Sequence, residues 1–190
     1  MVQFNVPEDI TVDDFFNNHV AAQFKEIMAE TDLASMANTE FTLQFNIDDH
    51  KYCLKMTNGT DLEIISGGID NPIFTLAVKE DDWRDAVSGK VEGTFDRFID
   101  PIQIADKSRY NKLLATKGTL NLELLKEDDS MVKASLIFNN APSPAMTINL
   151  KLSDWVSMQT KEADGTALFM SGKMKTNGDL MFLMGLQSLL

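Results

Sequence analysis

Apolar residues first recur with a helical rhythm. From Thr11 to Glu30, Val12, Phe15, Phe16, Val20, Phe24, Ile27 and Met28 return at spacings of three and four, and most of the acids fall on the opposite face. This predicts an amphipathic helix, and Thr11 with Asp14 resembles a capping box at its start. The rhythm then changes to two. Phe41, Leu43, Phe45 and Ile47 alternate with Thr42, Gln44 and Asn46, the pattern of a half-buried strand. Asp48-Asp49-His50 is a turn, Tyr52, Leu54 and Met56 resume the alternation, and Asn58-Gly59 closes the next hairpin. Asp61 to Ser66 is a third strand ended by Gly67-Gly68, and Ile73 to Lys79 is a fourth. Glu80-Asp81-Asp82 then opens a short helix through Trp83 to Val87, where acids suit the positive helix start.

A similar order follows. Lys107 to Ala115 is predicted helical. Thr119 to Leu125 and Met131 to Phe138 are strands on either side of the acidic turn Lys126 to Ser130, and Ala145 to Lys151 is another strand. Ser153 is expected to cap a helix through Met158. Asp164-Gly165 turns, Ala167 to Lys175 reads as a strand, and Asn177-Gly178-Asp179 begins the last helix. Two stretches align without gaps, Asn71 to Trp83 with Ser143 to Trp155. Pro72, Thr75, Lys79, Asp82 and Trp83 match Pro144, Thr147, Lys151, Asp154 and Trp155. Internal duplication explains this. So does the convergence of two strand–helix corners on the same residues.

The end of the chain is the most informative. From Gly178 to Leu190 the apolar residues Leu180, Met181, Phe182, Leu183, Met184, Leu186, Leu189 and Leu190 surround a helical axis, with only Gln187 and Ser188 as polar relief. A helix apolar all round must be covered by the protein core, a partner or a bound apolar ligand. Five of the 11 methionines lie between Met158 and Met184. Flexible, polarisable side chains suit variable apolar contacts, and they also fill gaps in an ordinary core.

The run Ser171-Gly-Lys-Met-Lys-Thr-Asn-Gly-Asp-Leu-Met-Phe-Leu-Met-Gly-Leu-Gln-Ser-Leu-Leu190 resembles the C-terminal signature of the sterol carrier protein type-2 family, in which a Gly-Lys-apolar-Lys strand meets a Gly-Asp turn and a Met/Leu-rich helix. Ile73 to Val91, with Thr75, Asp82 and Ser88-Gly89-Lys90, is similar to that family's strand and following helix, and Phe41 to Ile65 to its three-strand meander. One departure stands out. Glu92 to Gly165 is far longer than the family's spacing between those two parts. The chain is therefore either a single sterol-carrier-like domain over 1–190 with a long insertion, or two degenerate units, about 11–91 and 103–190.

The resemblance implies an α+β fold with a mixed or mainly antiparallel sheet, covered on one face by helices, and an apolar tunnel between the layers. It implies carriage of fatty acids, fatty acyl-CoAs, sterols or phospholipids, no cofactor, and a C-terminal helix bordering the tunnel. The residues expected to line the ligand space are Phe16, Val20, Phe24, Trp83, Trp155, Phe169, Met174, Leu180, Met181, Leu183 and Met184. The last helix is expected to be a wall or lid, so a chain stopped after Asn177 is expected to fold.

Charge and composition narrow the partners. A net charge of −12 repels phosphate backbones, so nucleic acid is not an expected partner. The imbalance is local as well as global. Glu8 to Asp32 carries seven acids against Lys25, whereas Thr166 to Leu190 carries Lys173 and Lys175 against Asp179. The C-terminal end could thus make a transient membrane-surface contact at most. The sequence does not specify the oligomeric state. A lone cysteine, Cys53, in a strand-like run reads as a small buried residue and needs no oxidising compartment. With no secretory signal visible at the N-terminus, a cytoplasmic location is expected. No catalytic or metal constellation stands out. His19 lies on an amphipathic helix and His50 in a turn, and the acidic pairs fall at turns and helix starts. The expectation is a carrier of lipid or another long apolar small molecule, not an enzyme. An enzyme acting on a hydrophobic small molecule and an interaction module docking through the last helix are the alternatives.

Overall fold

A computed structural model describes residues 6–29, 31–91, 105–186 and 189 of the chain. The expected helix end at Glu30, the Ile27 side chain, the start of a second unit at 103, and Gln187, Ser188 and Leu190 lie outside the described residues.

Thr11 starts the first helix by accepting a hydrogen bond from the Asp14 N–H at 3.1 Å. The helix runs as α1 (Val12–Asp14), a π-helical stretch (Phe15–His19) and α2 (Val20–Ala29). Among the described residues eight strands follow: β1 (Glu40–Ile47), β2 (His50–Thr57), β3 (Asp61–Ser66), β4 (Phe74–Val78), β5 (Gly118–Leu125), β6 (Met131–Phe138), β7 (Ala145–Lys151) and β8 (Lys175–Gly178). Among the described residues the remaining α-helices are α3 (Glu80–Val87), α4 (Lys107–Ala115), α5 (Leu152–Gln159), α6 (Gly165–Met170) and α7 (Leu180–Leu186). The hairpin between β2 and β3 turns on Asn58 and Gly59, both at positive φ, as a two-residue turn matched to strand twist requires.

The strands form one sheet in the order β3-β2-β1-β4-β6-β5-β7-β8. β1 runs parallel to β4 and β5 parallel to β7, and the other neighbours are antiparallel. The sheet is therefore mixed, and the fold is α+β as expected. The triplets β2-β1-β4 and β6-β5-β7 have the same order and directions, and they meet where β4 pairs with β6.

Register separates the faces. Tyr52, Phe45, Leu76, Leu136, Leu120 and Met146 form a continuous row across six strands on one side. One residue along, Asn46, Ala77, Ser135, Asn121, Thr147 and Asn177 form a row on the other. Apolar burial is concentrated on the first side, where the helices pack. Phe16 stacks on Tyr52 with ring centroids 4.5 Å apart, and Phe15 sets its edge against Trp83 at 5.2 Å. On the polar side, the Gln44 amide oxygen accepts from the Ile69 N–H and the Thr42 hydroxyl from the Ile73 N–H, both at 2.8 Å. These bonds hold the segment between β3 and β4 across that face.

Two local expectations need correction. Residues 167–175 do not form one strand. Asp164 accepts from the Ala167 N–H at 2.9 Å, which caps a helix, and the chain extends again only at Lys175. Ser153 does not cap α5. The strand runs through to an extended Lys151, so Leu152 is already helical and Ser153 lies in the first turn. The first corner is built alike. Lys79 (φ −70°, ψ 149°) leads into α3 as Lys151 (φ −69°, ψ 144°) leads into α5.

Candidate functional site

The C-terminal segment is assembled by short capping contacts. Leu168 of α6 and Met174 beyond it are buried, which seats α6 and returns the chain as the edge strand β8. The Asp179 N–H donates to the Ala145 carbonyl at 2.9 Å, and the Asp179 carboxylate accepts from the Phe182 N–H at 2.9 Å. These bonds fix where α7 starts and the direction in which it leaves the sheet.

α7 then divides into two faces. Phe182 and Leu186, four residues apart, are buried. The Phe182 ring sets its edge toward Phe138 at 6.2 Å, and Phe138 in turn meets Phe74 at 5.1 Å. Gly118 makes this approach possible. A Cβ there would lie 2.8 Å from the Phe182 ring, and the glycine φ of +131° is itself unfavourable to other residues. Beyond α7, Leu189 is buried and its carbonyl accepts from the Arg109 guanidinium at 3.2 Å. The outer face holds Leu180, Met181 and Met184, which are 53%, 77% and 63% exposed. Of the three possible covers for an apolar helix, the protein core accounts for one face of α7. Phe182 and Leu186 satisfy the core, and the outer apolar side chains are left to water. Phe169 and Met170 of α6 are exposed as well.

The expected lining residues divide between buried and exposed positions. Phe16 and Val20 are buried and Phe24 half-buried on the first helix, where Phe16 also touches Phe45 at 5.1 Å. Trp83 and Trp155 are both buried at their corners. Met174 is buried, Leu183 half-buried, and Phe169, Leu180, Met181 and Met184 are exposed. The residues that join α7 to the sheet, Gly118, Phe138, Phe182 and Leu186, are not among those expected to line the ligand space. The spacing of Phe182 and Leu186 was the available signal.

Two buried polar groups interrupt the apolar layer. The Trp83 indole N–H and both amide atoms of Gln159 have no hydrogen-bond partner among the described residues. Elsewhere polar side chains tie elements together. The Tyr52 hydroxyl donates to Asp13 at 2.7 Å, and His50 approaches the same oxygen at 3.2 Å. The hydrogen bond to Asp13 raises the Tyr52 pKa, and the bond from Tyr52 lowers that of Asp13. Burial pushes the Cys53 thiol up to about 11. Among the described residues, no cluster of three or more His, Cys, Asp or Glu is placed to hold a metal ion, and no helix is long and apolar enough to cross a membrane.

Residues 102–190 match the model of the SCP-2 sterol transfer family. The match covers a little under half of the chain. The matched segment includes α4 to α7 and β5 to β8, and its last twenty residues carry the family resemblance in sequence. No curated protein matches the chain. Similar solved structures include apo sterol carrier protein 2 from Yarrowia lipolytica, at 18% identity and a TM-score of 0.36, covering 47% of this chain and 84% of that one. A double mutant of the sec-alkyl sulfatase PisA1 is 12% identical with a TM-score of 0.25, covering 96% of this chain and 17% of that one. The stereoselective inverting sec-alkylsulfatase Pisa1 from Pseudomonas sp. is 11% identical with a TM-score of 0.21, covering 86% and 15% respectively. This chain thus spans under a fifth of either sulfatase's length.

Proposed function

We propose that the protein binds and carries long-chain lipids in an apolar space on the helix-covered side of the sheet, with α7 as its wall. Fatty acids, fatty acyl-CoAs, sterols and phospholipids are the ligand classes considered. The family match over residues 102–190 carries this reading. The two-faced apolar character of α7 supports it, because Leu180, Met181 and Met184 offer contact area that the free chain leaves in water. The energetics need no special chemistry. Burying a methylene gains about 0.8 kcal/mol, so a sixteen-carbon chain gains roughly 12 kcal/mol before ordering and association costs.

The proposal assigns no reaction to the protein. One acid of each pair that stands out in sequence is engaged in a structural contact. Asp48 accepts from the Glu80 N–H at 3.0 Å, Asp82 pairs with Lys126 at 2.8 Å, and Asp128 accepts from the Ser130 N–H at 3.0 Å. The reading also takes the chain as two degenerate units, about 11–91 and 103–190, joined through β4 and β6. Its cellular setting is proposed as the cytoplasm.

Organic extraction and native mass spectrometry of the purified protein test the carrier function. A copurifying lipid, or saturable uptake of a fluorescent long-chain fatty acid by delipidated folded protein, is expected. Folded protein that takes up no long-chain ligand overturns the reading. Exposure of the α7 face favours one alternative, docking of that face on a protein partner. Loss of self-association or partner binding on substituting Met181 and Met184, with lipid uptake unchanged, would support that alternative.

A further inference from the structure

Gln159 is the last residue of α5 and is 4% exposed. It lies one turn after Trp155 on the same helix face, so it shares the buried side of α5. Neither its amide oxygen nor its amide nitrogen has a hydrogen-bond partner among the described residues. A buried amide with both hydrogen-bonding groups unmet is strongly disfavoured in a folded protein.

The fold does not require an amide there. α3 and α5 each have eight residues, each follows an extended lysine, and each carries its buried tryptophan at the fourth position. The eighth residue of α3 is Val87, which is apolar and buried. At the matching place in the segment that matches the family model, the chain carries a polar group that local packing leaves unsatisfied.

We infer that the Gln159 amide is a ligand-reading group that hydrogen-bonds the hydroxyl of a bound apolar alcohol, a sterol or long-chain alcohol, within the helix-covered layer. This rests on the carrier reading and makes its ligand class specific. The amide oxygen accepts and the amide nitrogen donates. A hydroxyl does both, so one such group satisfies both atoms. An ionised carboxylate only accepts: it satisfies the nitrogen but leaves the oxygen unpaired and brings an unbalanced charge into an apolar layer. An ether offers an acceptor and nothing for the oxygen.

The test is displacement of an environment-sensitive fluorescent alkyl probe by hexadecanol, by its methyl ether and by hexadecanoate above neutral pH. The wild-type protein is expected to prefer the alcohol to either competitor by roughly tenfold, the scale set by leaving one buried polar group unpaired. Gln159→Met, close in shape and without the amide, is expected to bring the alcohol-to-ether ratio near one while the protein unfolds no more easily. Gln159→Leu serves as a second apolar variant. A wild-type ratio already near one, a ratio retained in both variants, or an ordered water holding both amide atoms in the ligand-loaded protein overturns the inference. Binding of all three competitors equally well would do so and leave the carrier reading standing. Binding of none, with the probe also not retained, strikes the carrier reading itself.

Discussion

Removal of the residues after Asn177 separates a lid from a structural wall. Three buried apolar side chains leave with that segment, Phe182, Leu186 and Leu189. Each gains about 1.5–3 kcal/mol from burial, so their loss together costs roughly 5–9 kcal/mol. Truncation also uncovers Phe138 and deprives the buried Arg109 of the Leu189 carbonyl. A domain of this kind is stable by about 5–15 kcal/mol in total. The truncated chain is therefore expected to lose most of its stability, contrary to the expectation from sequence that it would fold. The outer face gives the contrasting perturbation. A triple substitution of Leu180, Met181 and Met184 by glutamine touches side chains that are more than half exposed. It is expected to change stability by no more than about 0.5 kcal/mol per site. Urea unfolding followed by the fluorescence of Trp83 and Trp155 measures both variants, and titration with a fluorescent fatty acid on the same preparations measures binding. If the truncated chain unfolds with an unchanged midpoint and slope, α7 is a detachable lid and the burial argument fails. If the triple variant binds as well as the wild type, the outer face does not contribute to the lipid site.

Three further outcomes are expected. Gly118→Ala should destabilise the protein by at least about 1 kcal/mol in denaturant unfolding, because the new methyl meets the Phe182 ring and the backbone φ is +131°; an unchanged midpoint would mean that α7 does not sit over β5. Cys53, fully buried with its pKa pushed up to about 11, should resist thiol reagents at mildly alkaline pH until the protein unfolds, and rapid stoichiometric labelling of folded protein would contradict this. The Asp13–Tyr52 hydrogen bond lowers the Asp13 pKa, so its contribution is full above the ordinary value of 3.8 and is lost as pH falls through the lowered folded value. It also raises the Tyr52 pKa, so that contribution is full below 10.0 and is lost as pH rises through the raised value. Tyr52→Phe should shift the acid unfolding limb to higher pH, and superimposable acid limbs would refute the linkage.

The strands were legible because a face-selective sheet writes itself into sequence with period two. Phe41 to Ile47 and Thr119 to Leu125 each alternate, and register carries that alternation unbroken across the sheet. The two corners were legible because a strand leading directly into a helix places a tryptophan at a fixed offset, as in Trp83 and Trp155. The stretch from Ala167 misled because Ala167, Phe169 and Ser171 alternate as a strand would, while a single carboxylate, Asp164, supplies the cap that makes α6 a helix. α7 misled for a different reason. Its composition is nearly uniform, so the face that packs is chosen by the partner surface, a glycine gap at Gly118 beside Phe138, which lies far away in sequence. Gln159 carried no local signal at all. It stands out only when α5 is set beside α3 and the equivalent residue proves to be Val87.

The sheet itself limits where an apolar ligand can lie. Its polar face presents Asn46, Ser135, Asn121 and Thr147 in one row, with the Ser135 hydroxyl already donating to Asn121 at 2.7 Å. A lipid chain laid there would desolvate polar groups without pairing them. The helix-covered face is the apolar choice, and its two halves are not equivalent. In the first half, Phe15, Phe16, Phe45, Tyr52 and Trp83 are joined by ring contacts of 4.5 to 5.2 Å. Asp13 clamps that cluster from outside through Tyr52 and His50. Opening it would break several aromatic contacts at once, each worth about 0.5–1.5 kcal/mol beyond area burial. In the second half the aromatic contact from α7 to the sheet is the looser Phe182–Phe138 pair at 6.2 Å. That half also carries Met174 in the core and Met158 packed against it, side chains that repack at little cost. The same half holds the unsatisfied Gln159 amide and the exposed apolar residues of α6 and α7. A ligand that enters there displaces the weaker contacts and covers apolar surface now facing water. For that reason Trp155, and not Trp83, is the tryptophan whose emission should report lipid binding. A signal that survives Trp155→Phe and vanishes with Trp83→Phe would place the ligand under the first helix instead.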